Sequence, residues 1–264
     1  MMPVAASDVF AFLEGQESAT IFRHEIALPA FRSLRLNVRQ IVVGLGEAQG
    51  HESIDISDQL RALVSEWLTV PLPFDHSMLD ALTGLIGKPA SVQARWGNDM
   101  RIWYETALGA TETLAASTNP IREKLREAIH GLRLGTAPFR IYCHRRARIH
   151  FESIFASPID RPLLEDVFLH SVRDYRDTKP FDDLIKVGPL RARGWSSAPD
   201  ALISAPRFHT LRQFVWAGCC DEPDFGYDPV SSPIESSATA GTASGAPDSG
   251  RAAAVKWKIG RAHV

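Results

Sequence analysis

The sequence predicts an α/β protein with a mostly helical N-terminal half, followed by a small, partly parallel three-layer sheet and a disordered tail. Apolar residues recur at helical spacing through most of residues 1–117, whereas beyond residue 118 helices alternate with short apolar strands. From residue 231 to 254, 20 of 24 residues are Ser, Ala, Gly, Pro or Thr, which bury too little apolar surface to offset their ordering entropy. We therefore expect a helical region at 1–117, an α/β domain at 118–229 and a linker or tail at 230–264.

Two helices are predicted in the first half from apolar spacing. The first follows a predicted cap at Ser57 and Asp58 and ends before Pro71, and the second runs from Met78 until residue 87. Residues 38–43 form an apolar run that fits either a strand or a buried helix end. The glycine-rich residues 44–50 follow this run, and we interpret them as an ordinary loop, with a nucleotide-binding loop as the alternative.

The pattern is clearer after residue 118. Asn119 is a good helix cap, Pro120 suits the first helical position, and Gly135 is placed to end that helix in a left-handed conformation. Residues 138–144 then alternate with the two-residue period of a strand, and residues 147–155 return to helical spacing. A further helix is predicted over residues 163–168, and short strands are predicted near residues 184–187, 201–204 and 212–217.

The overall charge and the cysteines restrict the class of protein. The chain has 264 residues with 29 Lys and Arg against 31 Asp and Glu, a net charge of -2 that argues against a histone-like binder of nucleic acid. The start of the chain lacks a cationic segment and a long apolar run, so we expect neither a secretory leader nor a membrane partner. Three cysteines, two of them adjacent, cannot form a disulfide framework, so we expect a cytoplasmic protein.

A cluster of basic residues is the first candidate site. Residues 122–148 carry eight basic side chains against two carboxylates, a local net charge of +6. The predicted phosphate-binding residues are Arg140, Arg145, Arg146 and Arg148, which surround the end of a predicted strand, where ligands bind in open α/β sheets. The alternative is a solvated cationic turn.

Two further segments are candidate sites. Arg191, Arg193 and Trp195 lie in a Gly- and Pro-rich loop and could contact a phosphate and stack on a base, although Trp195 could equally cover the edge of the sheet. The carboxylates after the last predicted strand are Asp221, Glu222, Asp224 and Asp228, and carboxylates at this position can hold Mg²⁺. An acidic turn is the alternative interpretation of that stretch.

Two short resemblances accompany these patterns. Residues 138–155, a strand ending in Cys143-His144-Arg145-Arg146 that leads into an amphipathic helix, resemble the opening of the second RecA-like lobe of superfamily-two helicases. The resemblance implies a role with nucleic acid, but no nucleotide-binding loop or catalytic box is carried over with it. Residues 259–264 resemble translated sequencing adapter, so we expect them to be artefactual and the natural protein to continue beyond the linker.

Together these features predict a polyanion-binding α/β module that recognises the phosphates of nucleic acid or nucleotides, as the N-terminal part of a larger nucleic-acid-processing protein. One alternative is a metal-dependent hydrolase that uses the acidic cluster and Mg²⁺. Another is a non-catalytic scaffold whose helical N-terminal half docks a partner helix. The sequence assigns no catalytic residue, and outside the hydrolase alternative it predicts no cofactor.

Overall fold

A computed structural model of the chain describes Phe12 and residues 18–47, 51–86, 97–135, 137–155, 167–190, 198–199, 201–202, 205–218 and 252–258. Within these ranges lie five longer helices, two short ones and six strands. The longer helices are α1 (Pro29–Glu47), α2 (His51–Thr69), α3 (His76–Ile86), α4 (Asn98–Ala115) and α5 (Pro120–Leu134). The short helices are α6 (Arg148–Glu152) and α7 (Val172–Arg176).

The strands form one sheet in the order β3-β2-β4-β5-β1-β6. Their bounds are β1 (Ser18–Ile26), β2 (Phe139–Tyr142), β3 (Phe168–Leu169), β4 (Phe181–Val187), β5 (Phe208–Trp216) and β6 (Ala252–Lys258). The first five strands are mutually parallel, and β6 pairs antiparallel with β1. The partly parallel sheet predicted from the sequence is therefore confirmed.

Helices cover both faces of the sheet. The larger apolar cluster joins α1 to α5 with one face through residues such as Leu34, Leu60 and Phe214. A smaller cluster on the opposite face includes Tyr175 of α7 and Leu184 of β4. The result is the predicted three-layer arrangement, with the thicker helical layer formed by the N-terminal half.

Helix α5 begins as predicted from its cap. The Asn119 side chain accepts a hydrogen bond from the Ile121 amide at 2.9 Å, and Pro120 is the first helical residue. Asn119 also donates from Nδ2 to the Leu72 carbonyl at 2.7 Å, which ties the start of α5 to the segment after α2. The expectation of a left-handed Gly135 is wrong, because this residue is extended, with φ -81° and ψ 162°.

Helices α1 and α2 differ from the prediction in their bounds. Residues 38–43 lie inside α1, which continues to Glu47, so Gly44 and Gly46 are helical. The ordinary loop and the alternative nucleotide-binding loop are therefore both wrong for residues 44–47, and residues 48–50 lie outside the described residues. A Cβ on Gly44 would lie 2.6 Å from the Met100 sulfur of α4, so the glycine permits close helix packing instead. The predicted cap at Ser57 is also wrong, because α2 begins at His51 and Ser57 is a buried residue inside the helix.

Strand β1 was not predicted, and it lies between β5 and the edge strand β6. It carries Arg23, His24 and Glu25 in succession, which interrupts the apolar alternation expected of a strand. Arg23 is nevertheless buried, because its Nε donates at 3.0 Å to Oε1 of Gln213 on β5. These two residues are 190 positions apart, so the sheet joins the two ends of the described chain.

The remaining predictions have mixed outcomes. Strands β2, β4 and β5 confirm the strands predicted near residues 138–144, 184–187 and 212–217. Ala201 and Leu202 are helical, so the strand predicted at 201–204 is wrong for those two residues, and Phe168 lies in β3 rather than in the helix predicted over 163–168. Most of the predicted tail lies outside the described residues, although the backbone of Ala252–Lys258 forms β6.

None of the described helices is both long enough and apolar enough to cross a lipid bilayer.

Candidate functional site

The carboxyl ends of the five parallel strands meet at one edge of the sheet, which we call the carboxyl edge. In open parallel sheets this edge is where ligands bind, because helices begin there and their amides point toward the ligand. At this edge β2 leads into the turn Arg145–Ala147, and β1 leads into α1 after two residues. The candidate cations lie on these connections.

Arg140 lies away from this edge. Its Nη1 donates to the Phe139 carbonyl at 2.9 Å, and its guanidinium lies 5.9 Å from the ring centre of Phe181. Phe181 is the first residue of β4, so the charged group of Arg140 faces the amino ends of the strands. The structure does not bring Arg140 together with the other predicted phosphate ligands.

Arg145 and Arg146 lie where the sequence predicts them, directly after β2. Both side chains are exposed, and the turn that holds them is capped by His144, whose Nδ1 accepts from the Arg146 amide at 3.2 Å. Burial, and then the positive charges of Arg146 and His170, lower the pKa of His144, which favours the neutral ring that can accept this bond. The two arginines are therefore available to an anion in solution.

Arg148 has its charge compensated within the fold. Its Nε lies 2.6 Å from Oε1 of Glu152 one turn later, and its guanidinium lies 5.1 Å from the ring centre of Phe168. Other cations of the same stretch also serve local contacts. Arg122 bonds the Pro71 carbonyl at 2.8 Å, and Lys124 pairs with Glu127 at 2.9 Å. The four predicted arginines thus do not converge on a single surface.

The other predicted site residues lie outside the described residues. These are Arg191, Arg193, Trp195, Asp221, Glu222, Asp224 and Asp228. Within the described ranges, no group of three or more His, Cys, Asp or Glu side chains is arranged to hold a metal ion.

Cys143 at the end of β2 is a packing residue. Burial is the main cause that raises the pKa of its thiol to about 12, so the reactive thiolate is strongly disfavoured. Its sulfur lies 3.8 Å from Nδ1 of His170, and that nitrogen is 2.9 Å from the Cys143 carbonyl oxygen. The His170 ring therefore makes its closest polar contact with a backbone carbonyl rather than with an activated nucleophile.

A cavity of about 660 Å³ opens at the carboxyl edge where β1, β5 and α1 meet. We call it the β1–β5 cavity. Its walls come from the end of β1, the first turns of α1 and the end of β5, and its lining includes Ile26, Pro29, Phe31, Arg32, Ser33, Arg35, Asn37, Trp216 and Gly218. None of these residues was predicted from the sequence as a site residue.

Arg35 is the distinctive polar group of the β1–β5 cavity. Its Nε is buried and has no hydrogen-bond partner, and among the described residues its guanidinium forms no ion pair. A Cβ placed on Gly218 would lie 4.0 Å from Nη2 of Arg35, and Gly218 itself is left-handed at φ +67°. A buried donor without an acceptor costs free energy that a bound anion would recover.

The start of α1 adds to the positive character of this cavity. Arg32 is exposed on its rim, and the first helical hydrogen bond runs from the Arg32 amide to the Leu28 carbonyl at 3.0 Å. The amides of residues 30 and 31 precede that bond and lie at the positive end of a 19-residue helix. Helix α1 carries three arginines and no carboxylate before Glu47, and this is the sequence signal that could have identified the site.

Hydrogen bonds and stacked rings hold the walls of the cavity in place. Asn37 Nδ2 donates to the Ser33 carbonyl at 2.8 Å, and the rings of Phe31 and Trp216 stack with centres 4.1 Å apart. Trp216 also donates from Nε1 to the Trp67 carbonyl at 3.3 Å, which anchors the end of β5 to α2. The walls are therefore supported independently of any ligand.

No protein-family model matches this chain, and a search of curated proteins finds no similar sequence.

Proposed function

We propose that the protein binds a phosphate-bearing ligand, a nucleic-acid strand or a nucleotide, in the β1–β5 cavity. The observation that carries this proposal is Arg35, whose buried Nε has no acceptor and whose guanidinium lines the cavity at the carboxyl edge of a parallel sheet. A phosphate oxygen is the kind of acceptor that a guanidinium binds with directed, charge-assisted hydrogen bonds.

The charges around the cavity favour an anion over a neutral ligand. Arg32 and Arg35 both line it, and no carboxylate is present among the described lining residues. The positive end of α1 acts in the same direction. Because the cavity is larger than a single phosphate needs, its apolar wall leaves room for the sugar or base that carries the phosphate.

The exposed pair Arg145 and Arg146 favours an extended polyanion over a mononucleotide. In the sheet order, β2 and β1 are separated by β4 and β5, so three strand spacings of about 4.8 Å separate the ends of these two strands by roughly 15 Å along the same edge. A mononucleotide phosphate held by Arg35 would not engage the turn after β2, whereas a nucleic-acid backbone can contact both.

The test measures binding of labelled single- and double-stranded DNA and RNA, and of ATP, over a range of salt concentrations. We expect nucleic-acid binding at low salt. Arg35→Gln should weaken this binding about tenfold, and it should reduce the slope of log affinity against log salt concentration by about the amount expected for one phosphate contact. Arg101→Gln is the matched control, because Arg101 is an exposed arginine on α4 near the opposite end of α1.

Two results would overturn the proposal. One is the absence of binding to every nucleic acid and to ATP at low ionic strength. The other is equal binding by the Arg35→Gln and Arg101→Gln variants. A double substitution of Arg145 and Arg146 to Gln separates the two ligand types, because it weakens binding of a strand and leaves binding of ATP unchanged.

A further inference from the structure

A groove of about 540 Å³ runs between α1 and α2 on the helical layer, and we call it the α1–α2 groove. Its lining includes Arg35, Val38, Arg39 and Val43 from α1 and Leu60 and Arg61 from α2. Only Arg35 is shared with the β1–β5 cavity, so the two features can be tested separately.

The floor of the groove is aliphatic. Val38 and Leu60 are buried there, while Val43 is 50% exposed at the end of the groove near the α1–α2 connection. Ile54 is also exposed, at 48%, and it lies two helical turns before Arg61 on the same face of α2. Exposed aliphatic side chains along a groove are typical of surfaces that bind other proteins.

The rim of the groove is cationic. Arg39 is exposed and makes no ion pair with any described residue, and Arg35 lies one turn before it on α1. Arg61 on the opposite wall pairs at 2.8 Å with Asp58, which is itself exposed. No carboxylate is found among the described lining residues, so the rim presents net positive charge around an apolar floor.

We propose that the α1–α2 groove binds a short amphipathic helix of a partner protein, with its apolar face on the groove floor and acidic residues facing the arginines. The distance along α1 from Arg35 to Val43 is eight residues, or about 12 Å, which matches roughly two turns of a bound helix. The partner segment would therefore carry apolar residues at positions i, i+3, i+4 and i+7 with Asp or Glu between them.

The charge of the rim and the aliphatic floor favour an acidic helix over a second copy of the chain or a nucleic-acid strand. A second copy of the chain would bring the same arginines against these arginines, which costs free energy through like-charge repulsion. A nucleic-acid strand would place its bases or sugars on valine and leucine side chains, which offer neither hydrogen bonds nor aromatic faces for stacking. An acidic, amphipathic helix can place its carboxylates against the arginines of the rim and its apolar side chains on the aliphatic floor.

The probe is a fluorescein-labelled 16-residue peptide that carries leucines at the i, i+3, i+4 and i+7 positions and glutamates elsewhere. It is titrated with the full chain, and binding is followed by fluorescence anisotropy. The comparison peptides replace each glutamate by lysine, or scramble the order at the same composition. We expect the acidic amphipathic peptide to bind at least tenfold more tightly than either comparison peptide.

Two substitutions test the site itself. Val43→Asp places a carboxylate at the exposed end of the floor, and Arg39→Glu reverses the charge of the rim, so each should weaken the peptide at least tenfold. The matched controls are Ile102→Asp, at a 49% exposed position on α4, and Arg101→Glu, and neither should change the peptide affinity by more than twofold. Circular dichroism of the four variants is the check that each one is folded.

The inference is overturned if the acidic peptide does not bind, if the lysine peptide binds equally well, or if Val43→Asp binds like Ile102→Asp. It is also overturned if Val43→Asp converts a dimer into a monomer in sedimentation, which would identify the groove as an interface between copies. Loss of nucleic-acid binding in Val43→Asp, with binding retained in Arg35→Gln, would instead assign the groove to nucleic acid.

Discussion

Gly188 lies so close to Leu68 that a Cβ on the glycine would be 2.6 Å from the Leu68 carbonyl oxygen. The contact joins the end of β4 to the last turn of α2, where the helical layer meets the sheet. Gly188 is left-handed at φ +78°, and its amide donates to the Phe214 carbonyl at 2.8 Å. Because the opposing atom belongs to the backbone, it cannot move aside as a side chain would.

Gly188→Ala should therefore lower the free energy of unfolding by at least about 2 kcal/mol. Alanine is strained in the left-handed conformation, and its Cβ would clash with the Leu68 carbonyl oxygen. Urea denaturation followed by circular dichroism measures the effect. Gly131→Ala is the control, because Gly131 is inside α5 with no atom within 4 Å of a Cβ, and this change should stabilise the protein by up to about 1 kcal/mol. Equal midpoints for the two variants would contradict this account of Gly188.

Gln213→Leu should destabilise the fold by about 2 to 4 kcal/mol in the same measurement. Gln213 is fully buried, its Oε1 accepts from Arg23 Nε at 3.0 Å, and its Nε2 donates to the Gly188 carbonyl at 3.1 Å. Leucine has a similar size but removes an acceptor of a buried guanidinium, which is the costly part of the change. Gln59→Leu, at an exposed position of α2, should stay within about 0.5 kcal/mol of the parent.

Alkaline pH should destabilise the protein through Tyr142, the last residue of β2, and Cys143, which follows it. Burial is the first cause that raises the pKa of Tyr142 and of Cys143 to about 12, from ordinary values of 10.0 and 9.0. The unfolded chain loses these protons first, so stability is full below about pH 9 and falls as the pH rises toward 12. Between pH 8 and pH 11, the free energy of unfolding should fall less in Tyr142→Phe than in the parent. An equal fall in both proteins would show that Tyr142 does not cause the alkaline sensitivity.

Acidic pH should destabilise the fold through His24. Its ring stacks on Phe214 with centres 4.6 Å apart, and its Nε2 is buried without a hydrogen-bond partner. Burial, and then the positive charges of Arg212 and Lys124, lower the pKa of His24 below 6.5. The unfolded chain takes up the proton first, so the contribution of the neutral ring is complete above pH 6.5 and is lost as the pH falls.

The measurement for His24 compares unfolding free energies at pH 7.5 and pH 5. His24→Phe keeps an aromatic ring against Phe214 but cannot take up a proton, so its stability should fall less on acidification than that of the parent. His51→Gln, at an exposed position of α2, is the control for the loss of one imidazole. If His24→Phe loses as much stability as the parent does, another group causes the acid sensitivity.

The elements predicted correctly are those whose local signals agree with their packing. Helix α5 has a capping side chain, a proline at its start and one apolar face, and all three act within a few residues. Strand β1 could not be predicted in this way, because the burial of Arg23 depends on Gln213, 190 positions away. Helix α1 was not predicted to its full length, because Gly44 indicates a loop when only the sequence is known. The structure shows instead that Gly44 allows the close approach of Met100 on α4.

The candidate site was only partly predictable for the same reason. The sequence predicts Arg145 and Arg146 correctly at the end of a strand, but it does not show that Arg148 faces Glu152 one turn away. The β1–β5 cavity requires two strands from opposite ends of the described chain to be neighbours. Spacing within a window of residues carries no information about that pairing.

The seven-residue parallel register between β1 and β5 has a consequence for biosynthesis. At a synthesis rate of about 5 to 20 residues per second, the ribosome needs roughly 10 to 40 s after making Arg23 to produce Gln213. During that interval β1 has no parallel neighbour, and its backbone is an open template for aggregation. We therefore expect nascent chains that stop before residue 208 to depend on chaperones more than chains that extend past residue 258 and have emerged from the ribosome, because β6 covers the other edge of β1.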